Sequence, residues 1–400
     1  VHNDAHGYIW TLGAHTAEEI RREVVPFADS DVARIYWEAA VGDLTFYPSD
    51  IGHMPTADEA SDFMRVGDHT HAESWRKLRD DGIDPLRIAA ESARQAGIEL
   101  HASYRVAGFH FPAPIYDSWN AGGFYEDHPE LLCVGRNGEP APRLSYAYSE
   151  TRALVISLLR EIARYPVDGI ALLFNRRPPL LEYEPPLVDG FKSEFGTDPR
   201  DLPEHEPQWL AYRAGVLTKF MREVRAGLDQ VDRELERNHP TQVSAVVLSG
   251  EAENLYRAMD LRTWVQERLV DTLIPYTSAP NIDSESVSWE DPQTLEYFVE
   301  LVRGSSCIVA PGMMPRHRPP EAVRRQAADI YGAGAKHLFF WDAAGGSGRA
   351  NFGSMWNALR RLGHHEEISA WRMKGEPSLQ PATSDLDVLG DWNLSYETPG

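Results

Sequence analysis

The chain has 400 residues, of which 39 are Lys or Arg and 61 are Asp or Glu, for a formal net charge of −22. Its 42% of hydrophobic residues are spread along the sequence and supply a large core, which excludes a disordered chain, and no apolar run approaches the ~20 residues that span a bilayer. Acids outnumber bases in almost every window, which argues against a nucleic-acid partner and favours a neutral or cationic ligand.

Short β-branched or apolar runs alternate with amphipathic stretches from one end to the other. Strands are expected near residues 7–10 or just before, then at 32–40, 98–106, 168–175, 242–250, 271–277, 306–314 and 337–343. Helices are expected at 16–27, 85–96, 149–165, 209–237, 261–268, 292–303, 319–332 and 354–362. Thr16 three residues before Glu19 reads as a capping box, Ser149 as a cap, and Pro292 and Pro320 as first-turn prolines.

Eight strand–helix repeats predict an α/β fold of the (β/α)8 TIM-barrel class, because parallel strands need crossover helices and a closed ring leaves no sheet edge. A doubly wound sheet would call for a Gly-rich dinucleotide turn after its first strand, and no G-x-G-x-x-G occurs there. The barrel is expected over residues 1–365. Residues 366–400, with Pro377, Pro381 and Pro399, form a short C-terminal extension packed on it.

Barrel chemistry gathers at the C-terminal ends of the strands, and the two long loops, 41–82 and 107–148, follow the second and third strands. They carry Tyr47, Trp75, Phe109, His110, Phe111, Tyr116, Trp119, Phe124 and Tyr125, rings suited to the C–H faces of sugars or to small clusters of their own. Acids at strand ends are Asp4, Glu38, Glu184, Glu251, Glu253 and Asp342, the last delivered beside Trp341 by an apolar run. Asn175, Arg176 and Arg177 end the fourth strand, and Trp37, Arg105 and Tyr276 belong to the same strand-end set as ligand contacts.

His128-Pro129-Glu130, Leu144-Ser145-Tyr146-Ala147-Tyr148, Leu159-Arg160-Glu161, Val167-Asp168-Gly169-Ile170 and Asn175-Arg176-Arg177-Pro178-Pro179 form one set of motifs. Tyr183-Glu184-Pro185-Pro186, Glu251-Ala252-Glu253-Asn254, Leu261-Arg262-Thr263-Trp264-Val265, Leu269-Val270-Asp271 and Phe339-Phe340-Trp341-Asp342 form another. Together they resemble the bacterial glycoside-hydrolase-like TIM-barrel family, the family-10-like glycosyl hydrolases, over most of the chain. The resemblance implies a barrel acting on glycosidic bonds. One departure stands out, since relatives often carry an Asp in the fourth strand where this chain has Leu173.

Glycoside hydrolysis needs two carboxyl groups flanking the bond, one of them protonated. Glu184 and Glu253 are the expected pair, with Glu251 as a further candidate and Asp342 holding a sugar hydroxyl. The expected substrate is a carbohydrate, with no cofactor and no metal. A non-catalytic carbohydrate-binding barrel, or a sugar-acid lyase or isomerase using Arg176 and Arg177, stay open beside it. Asp68-His69-Thr70-His71 falls in a loop, and Gly345-Gly346-Ser347-Gly348 lacks a basic cluster beyond Arg349, which makes metal or phosphate binding the weaker reading. Cys133 and Cys307 show no Cys-x-x-Cys or zinc spacing, and no secretory leader follows Val1, so a cytoplasmic location without membrane contact is the expectation. Exposed barrel helices leave homo-oligomerisation open.

Overall fold

A computed structural model describes residues 1–3, 9, 13–54, 66–106, 123–175, 179–276, 292–313, 320–341 and 360–373. Its strands are β1 (His2–Asn3), β2 (Arg34–Val41), β3 (Leu44–Thr45), β4 (Glu99–Arg105), β5 (Leu132–Val134), β6 (Pro140–Leu144), β7 (Gly169–Leu173), β8 (Gln242–Val247), β9 (Thr272–Pro275), β10 (Ile308–Val309), β11 (Gly312–Met313) and β12 (Phe339–Phe340). The parallel ladder runs β1-β2-β4-β7-β8-β9-β10, and β11 pairs in parallel with β12. β10 and β11 are two halves of one expected strand, which hands the ladder from β9 to β12 across Ala310 and Pro311. The first strand lies at His2–Asn3, earlier than residues 7–10.

The helices are α1 (Ala17–Arg22), α2 (Val66–Asp80), α3 (Pro85–Ala96), α4 (Gly123–Asp127), α5 (Ser149–Ile162), α6 (Pro185–Phe195), α7 (Pro207–Glu234), α8 (Glu251–Tyr256), α9 (Leu261–Gln266), α10 (Pro292–Leu301), α11 (Pro320–Gly332) and α12 (His365–Met373). Local chemistry sets several ends. Thr16 and Glu19 make the reciprocal capping box at α1, and Asp84 caps α3 ahead of Pro85 while Gly97, at φ 71°, closes it in the left-handed region. The expected Ser149 cap is not used: Tyr148 holds that position and Ser149 Oγ donates instead to Glu150 at 3.0 Å. Leu217, Met221, Val224, Leu228 and Val231 recur at alternating spacings of four and three along α7, so one stripe of this 28-residue helix is buried.

Several elements fall in segments read as loops. Helix α2 occupies much of the stretch between the second and third expected strands, and the antiparallel β5–β6 hairpin follows β4. Helix α6 starts at Pro185-Pro186 and ends at Gly196 in the left-handed region, at φ 73°. The expected helix at 354–362 lies mostly outside the described residues, whereas α12 packs on α11, with His365 edge-on to Tyr331 at 4.5 Å. No helix among the described residues is long and apolar enough to cross a membrane.

The sheet is curled, and Arg34 demonstrates it. From β2 its guanidinium donates to Glu99 on β4 (2.8 Å), Gln242 on β8 (2.8 Å) and Thr272 on β9 (3.0 Å). In a flat sheet β9 would stand four strands, about 19 Å, from β2, beyond the reach of an arginine side chain. Above Arg34 the interior is filled by Tyr36, His101, Ser244 and Phe339, with His101 Nδ1 3.0 Å from Ser244 Oγ and Tyr36 edge-on to both rings. Gly169 makes room for this layer, since a Cβ there would lie 2.6 Å from the His101 ring.

Burial, and secondarily the positive Arg34, hold the His101 imidazole well below its ordinary pKa. The unfolded chain takes up a proton near pH ~6.5 that the native state refuses, so this contribution to stability is intact above that pH and is lost as the pH falls below it. Urea unfolding of the wild type between about pH 7 and pH 5 should therefore show a decline that His101→Gln flattens; equal slopes would remove His101 as the cause. Gly169→Ala should lose about 1–3 kcal/mol in the same assay through overpacking against that ring.

Candidate active site

Side chains alternate across each strand, so one face of the curled sheet lines the interior and the other meets the helices. On β2 the interior set is Arg34, Tyr36 and Glu38, while Trp37 lies in the core between sheet and helices. Trp37 is thus on the opposite face from Glu38 and does not join the strand-end floor as expected of it. On β7 the interior set is Ala171 and Leu173, packed with Val246, Ile274, Ala310 and Phe339. Leu173 therefore fills an apolar layer.

Above that layer lies a polar and aromatic floor. Arg105 at the end of β4 donates through Nε to Glu38 Oε1, and both side chains are sealed, at 2% and 0% exposed. Two buried charges cost several kcal/mol each to desolvate, so they persist because each supplies the other's counter-charge. The Tyr276 and Trp341 rings meet at 5.0 Å, and His2 from β1 stacks on Trp341 at 4.2 Å. Asn175 follows β7 on the interior parity of Ala171 and Leu173. Its side chain is fully buried, and neither amide atom has a hydrogen-bond partner among the described residues.

The loop acids form a second group, beside this floor. Glu184 precedes α6 and is 0% exposed; both carboxylate oxygens accept the Glu182 N–H, at 3.0 and 3.1 Å. Burial raises its pKa, while backbone N–H groups, the Ser145 hydroxyl and the Cys133 thiol oppose the rise. This makes Glu184 a strut of its own loop. Glu253 sits in the first turn of α8, directly after β8, with Oε2 buried and unpartnered among the described residues. Burial raises its pKa too, opposed by Arg257. Glu251 instead points outward into an ion pair with Arg262 at 2.5 Å.

Glu182 was not among the acids expected from the sequence. Burial raises its pKa, opposed by Arg213 and Arg257, so it shares Arg257 with Glu253. Arg213 is itself fixed, donating to the carbonyls of Leu181 (3.1 Å) and Tyr256 (2.8 Å), and Arg257 lies over the Tyr256 ring at 5.0 Å. Only the Leu-Leu-Glu-Tyr-Glu spacing, two acids around a tyrosine just before a Pro-Pro helix start, could have flagged it.

Asp4, Arg176, Arg177 and Asp342 lie outside the described residues, as do Phe109, His110, Phe111, Tyr116, Trp119 and the glycine-rich stretch 345–348. Two of the loop aromatics take the second of the expected roles, packing into buried clusters of their own. Trp75 stacks on Phe46 at 5.3 Å and donates its indole N–H to His71 Nε2 at 2.8 Å, while Tyr47 donates its hydroxyl to Glu161 at 2.6 Å. Ser49 Oγ (2.5 Å) and the Asp50 N–H (2.7 Å) converge on the same Glu161 carboxylate. Among the described residues no three His, Cys, Asp or Glu side chains gather in a metal-holding group.

Several of the motif residues are scaffold. Asp168 accepts the Leu100 N–H at 2.8 Å and Asp271 the Val243 N–H at 2.7 Å, so each acid ties the start of its strand to a neighbour. Trp264 donates to Thr218 on α7 at 3.1 Å.

A parallel sheet curled around a packed interior, with polar groups collected where its strands end, defines an α/β protein that bears its chemistry on the loops after the strands. The chain belongs to the family described as glycosyl hydrolase-like 10, whose profile matches residues 60–302, more than half of its length. Among solved structures it is similar to the PgaB (BpsB) glycoside hydrolase domain from Bordetella bronchiseptica, at 15% identity and a TM-score of 0.60, covering 90% of this chain and 98% of that one. It is also similar to the beta-galactosidase from the psychrophilic Marinomonas ef1, at 12% identity and a TM-score of 0.52, covering 85% of this chain and 53% of that one. At these identities the likeness is one of fold. No curated protein matches the sequence.

Removing one member of the Glu38–Arg105 pair deprives the other of its buried counter-charge among the described residues. Arg105→Met should cost about 3–5 kcal/mol in urea unfolding, and Glu38→Gln combined with Arg105→Met should cost less than Arg105→Met alone. A double variant as unstable as the sum of the two singles would show that the two side chains are not coupled.

Proposed function

We propose that the protein is a glycoside hydrolase that cleaves glycosidic bonds of an oligosaccharide, polysaccharide or glycoconjugate by carboxylate acid/base catalysis, with Glu253 as the proton donor. The observation that carries this reading is the state of Glu253: it follows the C-terminal end of a sheet strand, half-buried, its pKa raised by burial, with one carboxyl oxygen unpartnered among the described residues. A carboxyl held protonated at working pH is what delivery of a proton to a leaving glycosidic oxygen requires. Family membership supports the substrate class.

For the second carboxyl, Glu182 suits the geometry better than Glu184. Glu184 is closed over by its own loop, whereas Glu182 is only partly buried and shares Arg257 with Glu253. Glu184 then acts as a positioning residue that fixes the Glu182 backbone, and Asp342 holds a sugar hydroxyl. The sheet in this reading closes as a (β/α)8 barrel between β12 and β1, supported by His2 stacked on Trp341. A second reading, a carbohydrate-binding barrel without catalysis, draws on Leu173, a buried hydrocarbon at the position where the family resemblance implies an acid.

Sugar release from a panel of aryl glycosides and oligosaccharides, followed as a function of pH, tests the proposal. Wild-type kcat/KM should fall on its basic side at a pH above the ordinary carboxylate range, because burial raises the pKa of Glu253. Glu253→Gln should lower kcat by at least about 100-fold and abolish that limb, with unfolding unchanged. Glu182→Gln should depress kcat comparably. Full activity in Glu253→Gln would end its role as the acid, and a wild type that binds sugars without cleaving any would favour the binding barrel.

A further inference from the structure

We propose that Asn175 is the residue through which the strand-end floor reads ligand hydroxyls, and that the ligand it admits is uncharged there: a neutral sugar ring rather than a uronic acid or amino sugar. The proposal rests on the carbohydrate reading above but not on hydrolysis. It starts from an imbalance. The Asn175 side chain is 0% exposed, yet its Oδ1 and Nδ2 have no hydrogen-bond partner among the described residues. An unpaired buried polar group is expensive, and native proteins keep few of them. Nothing in the local packing asks for an amide, since the preceding interior residues of the same strand are Ala171 and Leu173.

The position is also rigid. The Phe174 N–H still donates to the Val246 carbonyl at 2.9 Å, extending the ladder past β7, and the Phe174 ring packs on Trp264 at 5.3 Å on the helix side. The next residue is thereby presented on the interior face, beyond Leu173, whose partner across the ladder is Arg105. A carboxamide donates from nitrogen and accepts at oxygen, and a sugar hydroxyl or pair of adjacent hydroxyls both donates and accepts, so the two sets match.

Charge selects the class of ligand. An anionic group would need a net positive floor, but among the described residues the Arg105 guanidinium there is matched by Glu38. A cationic group would need an acid in excess, and among the described residues of the floor the same pair leaves none.

The test couples stability to binding. Asn175→Leu and Asn175→Val remove the unpaired amide while keeping the side chain's approximate bulk. Without ligand, at least one of them should raise Tm by about 1–3 °C, since replacing an unmet polar group with hydrocarbon stabilises a buried site. The rise in Tm given to wild type by about 100 mM glucose, galactose, mannose or N-acetylglucosamine should vanish in both variants, corresponding to at least about tenfold weaker binding. Glucuronate and glucosamine should shift wild type less than glucose does. A fall in Tm in both variants would show that the amide already has protein partners and overturn the proposal. So would an unchanged sugar response in the variants, a larger response to the charged sugars, or a wild type indifferent to every neutral sugar. Sugar release by the wild type, measured alongside, separates the two readings: a neutral-sugar response that depends on Asn175, with no sugar released from any substrate, would leave this inference standing while the hydrolase reading fails.

Discussion

The guanidinium of Arg34 is the constraint around which the sheet is arranged. One planar group donates to three strands at once, which is satisfied only if β2, β4, β8 and β9 curve towards a common axis. The layers above inherit that curvature. With the strands drawn together at this end, the interior has room for one ring over Gly169 and for the Tyr36–His101–Phe339 cluster, and the floor above it closes with the Glu38–Arg105 pair.

Charge inside this protein is distributed by task. At the start of the strands, acids and arginines bind backbone and one another: Asp168 holds Leu100, while Asp271 holds Val243 and accepts from Arg225 at 2.8 Å. At the strand ends the balance is looser. Glu253 keeps an unpartnered oxygen among the described residues, Asn175 keeps both amide atoms, and burial raises the pKa of three neighbouring carboxyls, Glu182, Glu184 and Glu253. Satisfied polar groups make a scaffold, and unsatisfied ones are held ready for something that arrives.

The sequence showed the alternation of strands and helices because buried parallel strands are continuous apolar runs and core helices carry a 3.6-residue stripe. Seven expected strands coincide with the structure to within a few residues, and helix 85–96 matches exactly, with its Asp84 cap and Gly97 end. The first strand, expected near residues 7–10 or just before, lies at His2–Asn3, which carry no β-branched residue and whose pairing with Tyr36 and Trp37 is a long-range choice. Helix α2 was hidden by its polar sequence, HTHAESWRKLRD, in which Trp75 and Leu78 are the large apolar anchors. At the site, strand ends pointed to Glu38, Arg105, Asn175, Tyr276 and Trp341, since alternation fixes which face they occupy. It should also have excluded Trp37, one residue out of phase with Glu38. Sequence could not separate Glu182 from Glu184, because which of two acids two residues apart is closed over depends on Ser145 and Cys133 arriving from a distant hairpin.

Glu161 has a consequence for how this chain can change over evolutionary time. Its single carboxylate gathers the Tyr47 and Ser49 hydroxyls and the Asp50 amide, all from the segment just past β2, and fastens them to helix α5. The clasp divides that connection into an anchored root and the stretch beyond it. Insertions or substitutions past the clasp transmit little force back to β2, where Glu38 faces Arg105. New ligand preferences can therefore be tried at the margin while the charged centre of the floor stays in register.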